Sequence, residues 1–179
     1  MDADIDAFFD SVDHTLLLEK FKKYVHIPYI QTLIELWLKA EIWDGKSLIV
    51  PQKGIPQGSP ISPIMANLFL DELDEAFLRK GYKIVRYADD FIILCKKPDE
   101  ATNARQLSKQ TLEKLHLQLD EEQITSFEQG FKFLGVVFVR SMIMVPFDRP
   151  KKERKILFYP DSLNIDDYLM KKRKTGNHG

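Results

Sequence analysis

Cysteine is almost absent, with Cys95 alone in 179 residues. One thiol makes neither an internal disulfide nor a thiolate cluster, which excludes a disulfide scaffold and a zinc finger and fits a reducing compartment such as the cytoplasm. Long apolar runs are also missing: the longest are a few residues, against roughly 20 needed to span a bilayer. The first residues are acidic where a signal peptide is basic, so neither secretion nor a membrane partner is expected. Repeats and low-complexity tracts are lacking, and 44% hydrophobic with 30% charged residues gives one globular core rather than collagen, disorder or a coiled coil.

An excess of either charge is missing too, since 26 Lys and Arg against 27 Asp and Glu leave a net charge of -1. That excludes a uniformly basic nucleic-acid binder, but the balance is uneven along the chain. Residues 1–50 hold nine acids against five lysines, whereas from 141 onward nine Lys and Arg stand against five acids. Such separation suits a protein that gathers carboxylates in one place and offers cations to a polyanion in another, although solvated surface charge gives the same counts.

The pattern predicts a short strand over Asp4–Phe9 and then a helix with Val12, Leu16, Leu17, Phe21 and Tyr24 inward, capped by Asp10, Ser11 or Asp13. Pro28 suits the first turn of a second helix with Ile30, Leu33, Ile34 and Trp37 inward. Asp44-Gly45 between Ile42-Trp43 and Leu48-Ile49-Val50 signals a hairpin. After a loop from Pro51 to Ser59, a helical stripe runs Ile61, Ile64, Met65, Leu68, Phe69, Leu73, Ala76, Phe77, with Ser59-Pro60 or Ser62-Pro63 at its start. A second hairpin is expected at 82–95 around Ala88-Asp89-Asp90, a helix at 99–118, and strands at 119–126 and 131–139. The order describes an α+β fold, a mainly antiparallel sheet with helices on one face. The remainder, 141–179, reads as a basic linker or arm.

Adjacent aspartates in a hairpin turn between hydrophobic strands repel one another, and a divalent cation is the usual remedy. Should Asp4 end the neighbouring strand, three carboxylates would meet, enough oxygen charge for two Mg²⁺ ions. Taken alone, an Asp-Asp pair is more often ordinary turn chemistry. The loop Gly54-Ile55-Pro56-Gln57-Gly58-Ser59-Pro60 brings backbone close to a planar or anionic ligand, yet lacks the Gly-Lys-Ser/Thr of a phosphate-binding loop. His14 is expected as a helix-start residue, Trp37 and Trp43 as packing, and Cys95 as a buried strand residue.

Three segments in this order resemble the palm of reverse transcriptases. Asp4-Ile5-Asp6-Ala7-Phe8-Phe9-Asp10-Ser11-Val12-Asp13-His14 resembles motif A, Gly54 to Pro63 with Ala66-Asn67-Leu68-Phe69-Leu70 resembles motif B, and Arg86-Tyr87-Ala88-Asp89-Asp90-Phe91 resembles motif C in its bacterial form. Gly130-Phe131-Lys132-Phe133-Leu134-Gly135 is similar to the strand region that closes the palm. The likeness covers roughly residues 2–140 and is nearer to the group II intron and CRISPR-associated lineages than to retroviral enzymes.

That resemblance implies an RNA-directed DNA polymerase, with Asp4, Asp89, Asp90 and the Ile5 carbonyl holding two Mg²⁺, for which Mn²⁺ substitutes. It implies that Phe9 selects deoxynucleotides, with Phe8 the competing candidate and core packing the plain alternative. Gln57 and Gly58 would line the nucleotide, and Tyr87 would support the primer end. Partners would be an RNA template, a DNA or RNA primer and dNTPs. Two departures stand out. Only three residues precede Asp4, so the family's fingers are expected to be missing from 1–140, and a thumb to be absent after it. Gln123 occupies the place where relatives often carry a lysine that protonates pyrophosphate, and glutamine is no acid. A non-catalytic remnant or split subunit, taking fingers and thumb from a partner polypeptide or working beside a CRISPR adaptation integrase, is the alternative. A cyclic-nucleotide synthase on a similar palm is a third reading, disfavoured by the Pro-Gln-Gly loop.

Overall fold

Alternation of small or apolar with acidic residues makes Asp2–Ile5 (β1) a two-faced strand, Ala3 and Ile5 buried and Asp2 and Asp4 half-exposed. A computed structural model describes residues 1–43 and 46–145 of this chain, all within one compact unit, Met1–Val145. The expected Asp44-Gly45 turn, and the expected arm from 146 on, lie outside the described residues.

β1 stops at Ile5, four residues short of the strand expected. Ala7 turns left-handed at φ 41° and a one-turn helix, Phe8–Ser11 (α1), follows. His14–Tyr24 (α2) begins at an Asp13 cap whose carboxylate accepts from Thr15 N and Leu16 N at 2.8 and 3.0 Å. This satisfies amide protons that a helix start leaves without partners. Pro28–Leu38 (α3) has proline in its first turn and buries Ile34 and Leu38. Leu33, expected inward, lies outward and half-exposed. Ile42–Trp43 (β2) and Leu48–Ile49 (β3) pair antiparallel, as the hairpin signal requires.

Ser62–Arg79 (α4) is the spine, with Phe69, Leu70, Leu73 and Phe77 completely buried. Ile64, expected inward, is exposed. No side chain caps this helix: Ser62 sits inside it and donates its hydroxyl back to Pro56 O. Lys83–Tyr87 (β4) and Asp90–Leu94 (β5) form the second hairpin. Pro98–Lys114 (α5) precedes Leu119–Gln123 (β6), and Lys109 and Arg105 of that helix both meet Glu122 of the strand.

Strands pair antiparallel in the order β4-β5-β1-β6, so the first strand in sequence is central. Its inward residues, with Phe91 and Ile93, share a core with Leu17, Met65, Phe69 and Leu112 from the helices. The opposite face carries Asp2, Asp4, Tyr87 and Asp90. The strand expected over 131–139 is instead two, Phe131–Phe133 (β7) and Val136–Val139 (β8), because Leu134 and Gly135 both take left-handed φ and fold the chain back. Met142–Met144 (β9), unforeseen and beyond the expected boundary at 140, completes a separate three-stranded sheet. Helices with antiparallel sheets make this an α+β protein.

Candidate active site

Register decides what stands beside Asp4. β1 and β5 run antiparallel with Asp2 opposite Ile92 and Ala3 opposite Phe91. Asp4 follows one residue beyond the last of these pairs, on the same face as Asp2, and Asp89 and Asp90 come within electrostatic reach of it. On its other side, β6 gains a residue between the Ala3–Glu122 and Ile5–Leu119 pairs. That bulge bends the strand, and Asp120 comes within electrostatic reach of Asp4.

The carboxylates feel one another. Burial, and after it the charges of Asp89, Asp90 and Asp120, push the Asp4 carboxyl above the usual carboxylate range against an opposing hydrogen bond from Ile5 N, 2.8 Å long. Asp90 is raised by burial and by Asp89, and Asp2 by burial and by Asp90. None of Asp4, Asp89 and Asp90 has an ion-pair partner among the described residues. Nor, among those residues, do three His, Cys, Asp or Glu side chains close far enough to hold a metal as they stand. The three expected acids thus lie within one another's electrostatic reach, and among the described residues they do not close into a metal-holding set as they stand.

The hairpin that presents two of them is tight. Tyr87 and Asp90 are the last pair, leaving Ala88 and Asp89 as the connection, and Ala88 takes φ 54°. Arg86, one residue before Tyr87, turns its guanidinium to the helix side and donates to Asp74, Asn67 and the Ala88 carbonyl. Tyr87 points away from the helices and is 67% exposed. Ile5 ends β1 with its side chain in the core.

A second group of contacts ties the glycine-rich loop to α1 and the start of α2. Gly54 N donates to Val12 O at 2.7 Å, Ile55 N to Phe9 O at 2.6 Å, and His14 Nε2 to Gly54 O at 2.7 Å. Gly54 has φ 90°, and a β-carbon there would lie 2.8 Å from Phe9 O. Only glycine lets the two backbones come so close. Gln57 and Gly58, by contrast, are exposed, and a β-carbon on Gly58 would meet nothing within 4 Å. Phe8 is buried and Phe9 half-buried, their rings edge to face at 5.2 Å, so of the two only Phe9 is open to a ligand. Trp37 packs on the core, Trp43 is largely exposed, and Cys95 lies just past β5, half-buried.

Sequence reasoning missed the His14–Gly54 tie, the Arg86 contacts and Asp120. Arg86 carried a readable signal, a lone cation at an inward position between apolar strand residues. The bulge beside Asp4 carried none.

Residues 1–138 match the family model for reverse transcriptase (RNA-dependent DNA polymerase). Among curated proteins, the chain is similar to Protein YkfC of Escherichia coli (strain K12), 26% identical over 78% of this chain and 46% of that protein. It is also similar to the group II intron-encoded protein LtrA of Lactococcus lactis subsp. cremoris, 30% identical over 51% of this chain and 15% of that one. It therefore spans less than half the length of either relative. Among solved structures, a chain of a partial Cas6-RT-Cas1--Cas2 complex is 37% identical over 63% of this chain and 21% of its own length, with a TM-score of 0.36. Among the described residues no helix is long and apolar enough to cross a membrane. With a family match running over most of its length, the chain belongs to the reverse transcriptase (RNA-dependent DNA polymerase) family.

Proposed function

We propose that this chain is the palm of an RNA-directed DNA polymerase, working in the cytoplasm, that joins dNTPs to a primer 3'-hydroxyl along an RNA template. One observation supports this most: the charges of Asp89 and Asp90, at the β4–β5 turn, both reach the Asp4 carboxyl on the neighbouring strand β1. Hard carboxylate oxygens with raised proton affinity and no cationic partner among the described residues suit Mg²⁺ or Mn²⁺. Asp4, Asp89, Asp90 and the Ile5 carbonyl would hold two such ions. When bound, they supply Lewis acidity, easing ionisation of the primer hydroxyl and offsetting charge on the triphosphate.

The chain's own groups orient the reactants. Phe9, held at the start of α1 by the Ile55–Phe9 hydrogen bond, is the side chain to exclude a ribose 2'-hydroxyl. Gln57 and Gly58, on the exposed part of the loop, contact the nucleotide and its template base. Tyr87, exposed beside Asp90, supports the primer end. Gln123, opposite Asp2 in the sheet, offers no acidic proton to the leaving pyrophosphate, so that proton comes from solvent or a partner.

A second reading, a non-catalytic remnant or split subunit completed by a polypeptide carrying fingers and thumb, is favoured by the donor side chains, among the described residues, standing too far apart to hold a metal unaided. A CRISPR adaptation integrase is one such partner. Primer extension on poly(rA) with oligo(dT) and Mg²⁺, comparing the chain with an Asp89→Asn/Asp90→Asn variant, tests the enzyme reading. Synthesis by the first and none by the second is expected; equal signals would remove the claim.

A further inference from the structure

The turn that carries Asp89 and Asp90 has a weakness in its own sequence. A two-residue connection between antiparallel strands asks for left-handed backbone and is usually built from asparagine, aspartate or glycine. Here the left-handed position is Ala88, at φ 54°. Alanine has no side chain with which to hydrogen-bond the turn, and its β-carbon disfavours that conformation. Whatever holds the turn in shape comes from outside it.

Arg86 is placed to do so. Along β4 the residues alternate, with Lys83, Val85 and Tyr87 exposed and Ile84 and Arg86 half-buried toward the helices. The Arg86 side chain is only 8% exposed, so its charge must be matched by fixed partners. Nε donates to Asp74 Oδ1 at 2.9 Å and Nη2 to Asp74 Oδ2, a fork on a carboxylate that sets the guanidinium plane. The two N–H groups of Nη1 are then aimed by that plane and donate to Asn67 Oδ1 at 3.1 Å and to the Ala88 carbonyl at 3.0 Å.

Asp74 and Asn67 are seven residues apart on α4, two helical turns, and so share a face. Among the described helices it is the most deeply packed, with Phe69, Leu70, Leu73 and Phe77 wholly buried. It also follows directly on the Gly54–Ser59 loop, to which Ser62 is tied through Pro56 O. One planar cation thus refers the acidic turn to the same rigid element that carries the loop.

We infer that Arg86 is a positioning residue: by gripping the Ala88 carbonyl from α4, it fixes the direction in which Asp89 and Asp90 present their carboxylates. The inference rests on the reading of those carboxylates as the metal-holding pair. A merely structural ion pair predicts something different. Lysine keeps the charge and can meet Asp74, but as a point cation it cannot hold Asp74, Asn67 and Ala88 together in one plane.

The experiment uses the full chain and the variants Arg86→Lys and Asn67→Ala, read in three ways. Mn²⁺ binding is followed by electron paramagnetic resonance, amide exchange over residues 87–91 by mass spectrometry, and primer extension for kcat and KM. Arg86→Lys is expected to lose about tenfold in kcat with KM within about twofold, since misplacement of reacting groups costs rate rather than binding. Mn²⁺ affinity should fall about fivefold, and exchange at 87–91 should quicken about tenfold while β1 stays protected. Wild-type values in all three would overturn the inference. Should Arg86→Lys not fold, Asn67→Ala carries the test: it spares the Asp74 fork, and quickened exchange at 87–91 supports the grip while unchanged exchange overturns it. Should the unaltered chain neither bind Mn²⁺ nor extend a primer, the polymerase reading fails by itself, and exchange still decides whether Arg86 holds the turn.

Discussion

Two glycines in one loop give the most direct test of how the site is assembled. Gly54 and Gly58 both adopt left-handed backbone, at φ 90° and 82°, so an alanine at either position pays the same kind of strain, about 1–2 kcal/mol. They differ in what the added methyl meets. At Gly54 it would lie 2.8 Å from Phe9 O and 3.1 Å from Asp10 Cα and Asp10 O, all backbone atoms that move only if α1 moves. At Gly58 it would meet nothing within 4 Å. Forcing a methyl group into a packed contact adds about 1–3 kcal/mol, so Gly54→Ala should destabilise by about 2–5 kcal/mol and Gly58→Ala by about 1–2 kcal/mol. Separating the backbones also stretches the Gly54–Val12, Ile55–Phe9 and His14–Gly54 hydrogen bonds, which pushes the first figure toward its upper end. Urea unfolding of both variants, monitored by circular dichroism, gives the comparison. Equal losses, within about 0.5 kcal/mol, would refute the claim that Gly54 is required by contact rather than by backbone conformation alone. The activities should rank the other way relative to stability, because Gly58 is the one proposed to line the nucleotide.

Three further outcomes follow from the carboxylates and the first helix cap. Asp4 has a folded-state pKa raised above its unfolded value, so its ionisation opposes folding as pH rises through that interval, and the penalty is present at pH 7. Asp4→Asn should therefore melt at or above the temperature of the unaltered chain at pH 7 while abolishing primer extension, with the stability gain vanishing below about pH 4, where both chains are neutral at this position. A variant that melts lower at pH 7 would contradict the electrostatic account. Mg²⁺ or Mn²⁺ at 100 times its dissociation constant should stabilise the chain by about 2.7 kcal/mol and leave Asp89→Asn/Asp90→Asn unaffected, readable in thermal melts; equal shifts in both would place the binding elsewhere. Asp13→Ala should cost about 0.5–2 kcal/mol through loss of the α2 cap. Because hydrogen bonds from Leu16 N foremost hold the Asp13 carboxyl below its usual range, the stability it supplies is present above about pH 4 and lost as pH falls through the lowered value, so acid titration should narrow the gap between the two chains.

The amino-acid order by itself determined where the four longer helices and the β2–β3 and β4–β5 hairpins lie, since apolar spacing, prolines at Pro28 and Pro63 and the Asp13 cap are local signals. It also brought Asp4, Asp89 and Asp90 forward as a set, through motifs whose residues are contiguous. Tertiary structure decided what no window of sequence contains. The end of β1 at Ile5 follows from the left-handed turn at Ala7, and the break between β7 and β8 from Leu134 and Gly135 together. The inward or outward direction of Leu33 and Ile64 depends on which neighbours cover each helix. Above all, the neighbours of Asp4 are set by strand register: one residue of slip in β1 would turn both Asp2 and Asp4 into the core, and the extra residue in β6 that brings Asp120 near has no local signature. Hydrogen bonds from His14 to Gly54 and from Arg86 to Asp74 join residues 40 and 12 positions apart, and pairings at that range exist only once the core has fixed the elements that carry them.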